Sequence, residues 1–360
     1  MKKLISFPSI DQFKTLVSNI NRQYNYVGLD DKGEAIYDHS KPKPYLTLMG
    51  TVKLHGSNFS VCFNNIDGFW VQSRSNIITP QSDNAGSAFF AESKKDILLS
   101  IINEIATKYN IDLNTNTITV YSEWAGKGIQ KGVGITNVEK SMFIFAVKIS
   151  PIIDANDVEA IKNNPAYWVN SAGFRSVDNR IYNIEDFKTY SIEVDFNTPQ
   201  LSQNKIIEMT LEVEEECPVA KSFGFPNTIG EGIVFSLLKP TGERLFMKSK
   251  GEKHAGKSKV KTLHAVDDEK IKKQIEIAEK VTPTWRLEQM LTESCDLLNG
   301  GSVDNTKLGG FIRLVINDVL KEELSVISEA GLYPKEINKH ISDISRKYFF
   351  MKQNEEVGLK

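Results

Sequence analysis

Residues 46 to 55 alternate with a period of two. Leu46, Leu48, Val52 and Leu54 fall on one face, and Thr47, Thr51, Lys53 and His55 fall on the other. A helix would scatter both sets around its axis, so the pattern predicts a half-buried strand. Gly56-Ser57 offers a bend into a partner strand from Phe59 to Phe63. Lys53 and His55 therefore project to the same side, just ahead of the bend, within Val52-Lys53-Leu54-His55-Gly56-Ser57-Asn58. A lysine in water has a pKa of about 10.4 and is a poor nucleophile near neutrality. Covalent chemistry at such a residue needs neighbouring cations, a metal or desolvation. Taken alone, the segment also suits the wet face of an ordinary hairpin.

A second cluster runs from Glu231 to Lys261. Glu231-Gly232 opens an apolar strand from Ile233 to Leu238, Pro240-Thr241-Gly242-Glu243 reads as a turn, and Arg244 to Lys250 returns as a second strand. Lys248 and Lys250 then share a face, a pair suited to a phosphate and able to lower the pKa of a third lysine nearby. Lys253, His254, Lys257, Lys259 and Lys261 follow, with Glu252 opposing them. The chain as a whole carries a net charge of −2. A local basic stripe in a slightly acidic protein points to a polyanion-facing surface, although charge runs are also common as solvated loops.

Further candidates lie between the clusters. Arg74 follows a strand at Phe69 to Gln72, one hairpin after Lys53. A strand from Thr117 to Ser122 delivers Glu123 at its end, ahead of the Gly-rich Ala125-Gly126-Lys127-Gly128. Ser141 to Ile149 reads as a buried strand carrying Phe143 and Phe145. Each also has an ordinary structural reading, as surface cation, turn acid or core aromatic.

Their order carries more than any one of them. Lys53, Arg74, Glu123, Phe145, Glu231 and the pair Lys248 and Lys250 resemble the ordered motif set of covalent nucleotidyltransferases, the polynucleotide ligases and mRNA capping enzymes. The form Lys-x-His-Gly-x-Asn, where most DNA ligases and capping enzymes show Lys-x-Asp-Gly, is similar to the RNA ligase 2 family of phage double-strand RNA ligases. The resemblance covers roughly residues 1 to 262. It implies an α+β chain: an N-terminal nucleotidyltransferase domain of antiparallel, ATP-grasp-like sheets (1–262) and a small helical C-terminal domain (263–360).

By that resemblance Lys53 attacks the α-phosphate of ATP and becomes lysyl-AMP. Val52, His55 and Asn58 belong to the same nucleotide pocket, and Arg74 contacts the adenylate ribose or the substrate ends. Glu123 holds the ribose hydroxyl, Phe145 stacks on adenine with Phe143 as the alternate, and Lys248 and Lys250 grip the α-phosphate. Glu231 assists a magnesium ion. Lys253, Lys257, Lys259 and Lys261 would face nucleic acid. Where many family members have Phe-Asp, this chain has Phe145-Ala146, which leaves out a carboxylate. The implied activity is ATP-dependent sealing of 3′-hydroxyl/5′-phosphate breaks, as nicks in duplex RNA or an RNA-containing duplex, by a monomer in the cytoplasm (a host cell's, if phage-encoded). The alternatives are a DNA-joining or single-strand RNA ligase, or a catalytically silent nucleic-acid-binding relative.

Composition bounds the rest. At 360 residues, 40% hydrophobic and 25% charged, the chain suits about two globular domains. Met-Lys-Lys-Leu-Ile-Ser-Phe-Pro lacks the apolar run of a signal peptide, and no stretch approaches a membrane span. Three scattered cysteines and five histidines show no disulfide or zinc spacing. Helices are expected near Ser9–Ile20, Ala91–Lys108 and Ala155–Asn163 and after Thr198-Pro199, with strands near Tyr182–Phe196. From about His264 the period changes to 3.6: Ile312, Val315, Ile316, Val319, Leu320 form one stripe and Ile337, Ile341, Ile344, Tyr348 another. Breaks at Pro283, Gly300-Gly301 and Gly331 complete a helical tail, where a capping enzyme or ordinary DNA ligase would carry a strand-rich barrel.

Overall fold

A computed structural model of the chain describes residues 2–29, 33–83, 85–254 and 263–356. Lys257, Lys259 and Lys261 lie outside the described residues. Helix α1 (Phe13–Asn25) and a hairpin of β1 (Tyr26–Leu29) and β2 (Ala35–Tyr37) precede β3 (Tyr45–Val52), the strand foreseen from the alternation. Its Leu48, Gly50 and Val52 are the buried row. After the Gly56 bend come β4 (Ser57–Asn64), β5 (Gly68–Ser73) and β6 (Ile77–Ile78), then α2 (Ser87–Ser93) and α3 (Lys95–Tyr109). Next are β7 (Asn116–Ala125), β8 (Ser141–Pro151), α4 (Val158–Asn163), β9 (Tyr167–Val169), β10 (Ile181–Asn183) and β11 (Thr189–Asp195). Helices α5 (Gln203–Glu215) and α6 (Pro218–Ser222) lead into the hairpin β12 (Gly232–Leu238) and β13 (Arg244–Lys250).

These strands make two larger sheets. One has the order β11-β3-β12-β13, with β12 antiparallel to both β3 and β13. The other has the order β10-β8-β7-β4-β5-β6, and β9 pairs with β8. Its pairings are antiparallel except for β10, which runs parallel to β8. Helix α3 covers this sheet because Leu98, Ile101, Ile102 and Ile105 recur at helical spacing and join Val61, Ile118 and Val120 in one core. Burying each such side chain contributes about 1.5–3 kcal/mol. Asn110, left-handed at φ 52°, ends the helix.

Two expectations shift here. Strand β7 continues to Ala125, so Glu123 sits inside the strand rather than at its end, directly opposite Asn58 on β4 and Phe143 on β8. The first helix begins at Phe13 rather than near Ser9, because the preceding segment is drawn out along the sheets. Ile5 exchanges hydrogen bonds with the Gln72 side chain (3.0 and 2.5 Å), and Tyr121 Oη donates to Ile5 O (2.8 Å). Lys248 N–H donates to Asp11 O at 2.8 Å. Phe7 thereby enters a second core with Tyr121, Ala146, Trp168 and Phe246. Ala146, where the family pattern has an acid, is fully buried among these rings.

The chain divides into two compact units: Met1–Leu16, Leu46–Val194 and Ser202–His264 form one, and Val17–Tyr45, Asp195–Leu201 and Ala265–Lys360 form the other. Residues 17–45 and 195–201, assigned from sequence to the N-terminal domain, thus group with the C-terminal helices. Those helices are α7 (Asp268–Val281), α8 (Thr284–Cys295), α9 (Leu308–Glu322), α10 (Leu324–Glu329) and α11 (Pro334–Glu356). Val315 and Val319 of the first apolar stripe and Ile337, Ile341 and Tyr348 of the second meet in one core with Phe311 and Phe349. Buried Arg286 pairs with Asp318 (2.9 Å) and Glu323 (2.8 Å) and donates to Val281 O.

Candidate active site

The β3–β12 ladder carries one bond past the end of β3: Lys53 N–H donates to Gly232 O at 2.8 Å. That bond sets Lys53 beside Glu231. Gly232 has φ +143°, and a Cβ there would come within 2.1 Å of Ser249 O, so the turn into β12 needs glycine. Gly56 is constrained in another way, since a Cβ would lie 2.4 Å from Trp124 O and 2.9 Å from Glu123 Cγ.

Glu231 is the hub. Only 2% exposed, its carboxylate accepts from Lys53 Nζ at 2.7 Å and lies 3.3 Å from His55 Nδ1 through Oε2. Its Oε1 accepts from Lys250 Nζ at 2.6 Å. Burial by itself would raise this carboxyl, but the charge of Lys53 and the hydrogen bonds from Lys250 and Lys53 outweigh it and hold Glu231 below its ordinary value. Two chain segments, one from the distant Lys53-His55 stretch and one from the end of the β12–β13 hairpin, are thereby drawn onto one buried charge. The crowding of cations shows at Lys248, which burial and then the charges of Lys250, Lys53 and Arg74 hold below the usual lysine range against the pull of Asp11.

Glu123 goes the other way. Burial pushes it up to about 7, opposed by the Lys53 charge and by a hydrogen bond from Gly56 N–H to Oε1 (2.8 Å), and reinforced by Glu231. Two acids near one lysine are thus driven apart in pKa, the pattern by which acid and base roles are divided in active sites. Asn58, opposite Glu123, keeps a buried Oδ1 with no hydrogen-bond partner. A buried acceptor left open in this way fits a ligand donor.

Beside this cluster lies a cavity of about 550 Å³, whose lining does not include Glu231 or His55 themselves. Val52, Lys53, Asn58, Arg74, Glu123, Phe143, Phe145, Lys248 and Lys250 are in its wall, together with three residues the sequence reading passed over: Phe7, Ser236 and Arg244. Arg244 had a signal, because it falls in the same alternate row of β13 as Lys248 and Lys250. Phe7 had none, since nothing local tells a lead-in aromatic that it will enter a distant pocket. Of the two β8 aromatics, Phe143 is fully buried and stacked on Tyr182 at 5.4 Å. Phe145 sits at the register shift where Tyr121 faces Ala146 and Ser122 faces Ile144. It is half-buried and meets Phe7 edge-on at 5.1 Å. A bulge that re-aims one side chain explains why Phe145 keeps surface open to the cavity. Lys253 lies beyond the cavity lining; its side chain is exposed and its N–H donates to Glu214 Oε1 at 2.7 Å. Among the described residues no three His, Cys, Asp or Glu side chains gather as a metal site, and no helix is long and apolar enough to cross a membrane.

The fold is one of mixed helix and largely antiparallel sheet. The chain belongs to the RNA ligase family, whose pattern it matches over residues 46–259. No curated protein matches the sequence. Among solved structures it is similar to Naegleria gruberi RNA ligase: a mutant with AMP and Mn (15% identity, TM-score 0.39), the enzyme with PPi (15%, 0.38) and another mutant with ATP and Mn (14%, 0.40). Each alignment covers 71% of this chain and 59% of the Naegleria chain.

Proposed function

We propose that this protein is an ATP-dependent RNA ligase that joins a 3′-hydroxyl to a 5′-phosphate through a lysyl-AMP intermediate. The observation that carries the reading is the Glu231 carboxylate, held at once by Lys53, Lys250 and His55. It anchors the amine of Lys53 in the wall of a cavity whose other cations include Lys248, Lys250 and Arg74, a set that suits a triphosphate. In the first step the Lys53 amine, having given up a proton, attacks the α-phosphorus. A nitrogen–phosphorus bond forms, the bond to the bridging oxygen breaks, and pyrophosphate leaves with the electron pair. Glu231 is the acceptor within hydrogen-bond distance of the departing proton. Lys248 and Lys250 neutralise charge on the α-phosphate, and positioning with charge neutralisation is most of what phosphoryl transfer requires. Glu123 and Asn58 offer acceptors for ribose hydroxyl donors, and Phe145 offers a face to adenine.

AMP then passes to the 5′-phosphate of a nucleic acid, and attack by the 3′-hydroxyl seals the strand and releases AMP. A magnesium ion would neutralise phosphate charge. Both Glu231 oxygens already face ammonium groups, so the ion would take most of its ligands from the phosphates and water, with Glu231 as the neighbouring acid. The RNA ligase family supports an RNA substrate, and Naegleria gruberi RNA ligase has been crystallised with ATP and Mn. We assign the substrate as a nick in duplex RNA or an RNA-containing duplex, with RNA character on the 3′-hydroxyl side. We also assign Lys253 to the backbone-facing surface, and a monomeric, cytoplasmic protein.

Incubation with radiolabelled ATP and magnesium should leave label on the protein through a denaturing gel. Lys53→Ala and Lys53→Arg should both remove it, since a guanidinium stays protonated and cannot attack. Label retained by Lys53→Ala at wild-type level would overturn the assignment. Faster sealing of all-DNA nicks than of nicks ending in ribose would move the protein to the DNA-joining class.

A further inference from the structure

We infer that Arg244 reads the base of the bound nucleotide, donating from its free guanidinium nitrogen to the N1 acceptor of adenine at the far end of the cavity. This rests on the ATP-binding reading above.

Along β13 the residues Lys250, Lys248, Phe246 and Arg244 form one alternate row, and the last three line the cavity together with Lys250. Successive members stand about 6.6 Å apart at strand spacing. The row thus reads as cation, cation, ring, cation. Lys250, paired with Glu231, and Lys248 next to it in the row mark the phosphate end. Arg244 stands two steps beyond Lys248, the cation of the row farthest from Glu231 by the β12–β13 register, and on this reading it meets the base rather than the phosphates. Phe246 and Phe7, 5.0 Å apart, and Phe145, 5.1 Å from Phe7, give that end apolar walls.

Arg244 is held but not satisfied. Its Nε and one terminal nitrogen donate to Ser236 Oγ (3.3 and 3.0 Å) on the paired strand, and the guanidinium lies 5.1 Å from the Phe246 ring centroid. The other terminal nitrogen, Nη1, is buried with no hydrogen-bond partner. A guanidinium has donors only, so a buried unpaired one calls for an acceptor; the apolar rings cannot supply it, and Glu185 acts on the guanidinium through its charge without hydrogen-bonding to Nη1. The outer edge of adenine offers N1 as its one acceptor beside the amino donor at C6. The open acceptor at Asn58 and the open donor at Arg244 are thus two unsatisfied groups in the wall of a single cavity.

The test uses the full chain carrying Lys53→Ala, which can bind nucleotide without reacting, and titrates it calorimetrically with ATP, 1-deaza-ATP and 7-deaza-ATP. We expect 1-deaza-ATP to bind about tenfold more weakly than ATP, the scale of one hydrogen bond to a charged group, and 7-deaza-ATP to bind within about twofold of it. Adding Arg244→Met should weaken ATP about tenfold and abolish the difference between ATP and 1-deaza-ATP, because the two changes remove the same bond. Equal penalties for the two analogues would overturn the inference, as would an undiminished 1-deaza penalty in Arg244→Met. Should Arg244→Met fail to fold, the analogue comparison in the Arg244 protein decides alone. ATP and both analogues binding alike while wild type still charges Lys53 would refute the Arg244 role and leave the ligase reading standing; no ATP binding at all would sink both.

Discussion

Replacing Glu231 by alanine removes the buried carboxylate that three side chains share. Two ammonium groups, those of Lys53 and Lys250, would then face each other without their common partner. Breaking a buried ion pair from one side costs roughly 3–5 kcal/mol. Here the two lysine side chains are 20% and 28% exposed, so water can reach them and part of that penalty is relieved. About 2–3 kcal/mol is the expected loss, or a fall in Tm of roughly 5–10 °C. The pH dependence gives an independent check. Because the folded pKa of Glu231 is depressed, its contribution is fully present above its unfolded value near 4.3 and is lost as pH falls through the lower folded value. Compared with Glu231→Gln, which keeps an acceptor but no charge, the wild-type advantage should shrink below about pH 4.5. Urea unfolding followed by near-ultraviolet circular dichroism across that range measures it, and self-adenylation of Glu231→Ala should fall with it. A stability equal to wild type at pH 7, or an advantage that persists unchanged at pH 3, would refute the argument that this carboxylate is charged and pays its burial through its partners.

Glu123 carries the opposite sign: raised to about 7 by burial, it keeps in the folded state a proton that the unfolded chain has released, so stability falls as pH rises from about 4.5 to 7. Glu123→Gln should escape that loss and gain on wild type by about 2–3 kcal/mol at pH 8, seen in parallel unfolding curves at pH 5 and 8, while its self-adenylation loses any inflection near pH 7. Ala146→Asp would place a carboxyl among Phe7, Tyr121, Trp168 and Phe246, costing about 1–3 kcal/mol at pH 8, since the cations of Arg244 and Lys148 against the Phe246 and Trp168 rings offset part of the burial, and less at pH 4–5, where the acid can protonate; a cost independent of pH would mean the loss is steric. Arg286→Ala should destabilise the helical unit by about 2–4 kcal/mol by stranding Asp318 and Glu323, whereas Glu288→Ala on the same helix should change little; equal melts for the two variants would count against the triad. Lys248→Ala and Lys250→Ala should slow self-adenylation far more than Lys253→Ala, which sits outside the cavity lining; equal losses would mean diffuse charge rather than a clamp.

What the chain states locally is what a period of two or 3.6 can encode. The alternation around Lys53 placed the lysine and His55 on one side, and both reach the same oxygen of Glu231. The same logic placed Lys248 and Lys250 in one row, and the apolar stripes of α9 and α11 supply buried residues to one helical core. The Lys-x-His-Gly-x-Asn form pointed to the RNA ligase family, to which the chain belongs. Tertiary structure decided the rest, because it turns on which distant segments meet. Nothing near Glu231 says that Lys53, 178 residues earlier, will share its carboxylate with Lys250. That follows from β12 pairing with β3 on one edge and β13 on the other. Strand pairing also set Glu123 inside β7 opposite Asn58 and Phe143, and put a bulge at Phe145 that periodicity could not reveal. The place of Phe7 and the grouping of the 17–45 segment were not legible for the same reason: they depend on long-range hydrogen bonds and burial, which leave no period in the residues themselves.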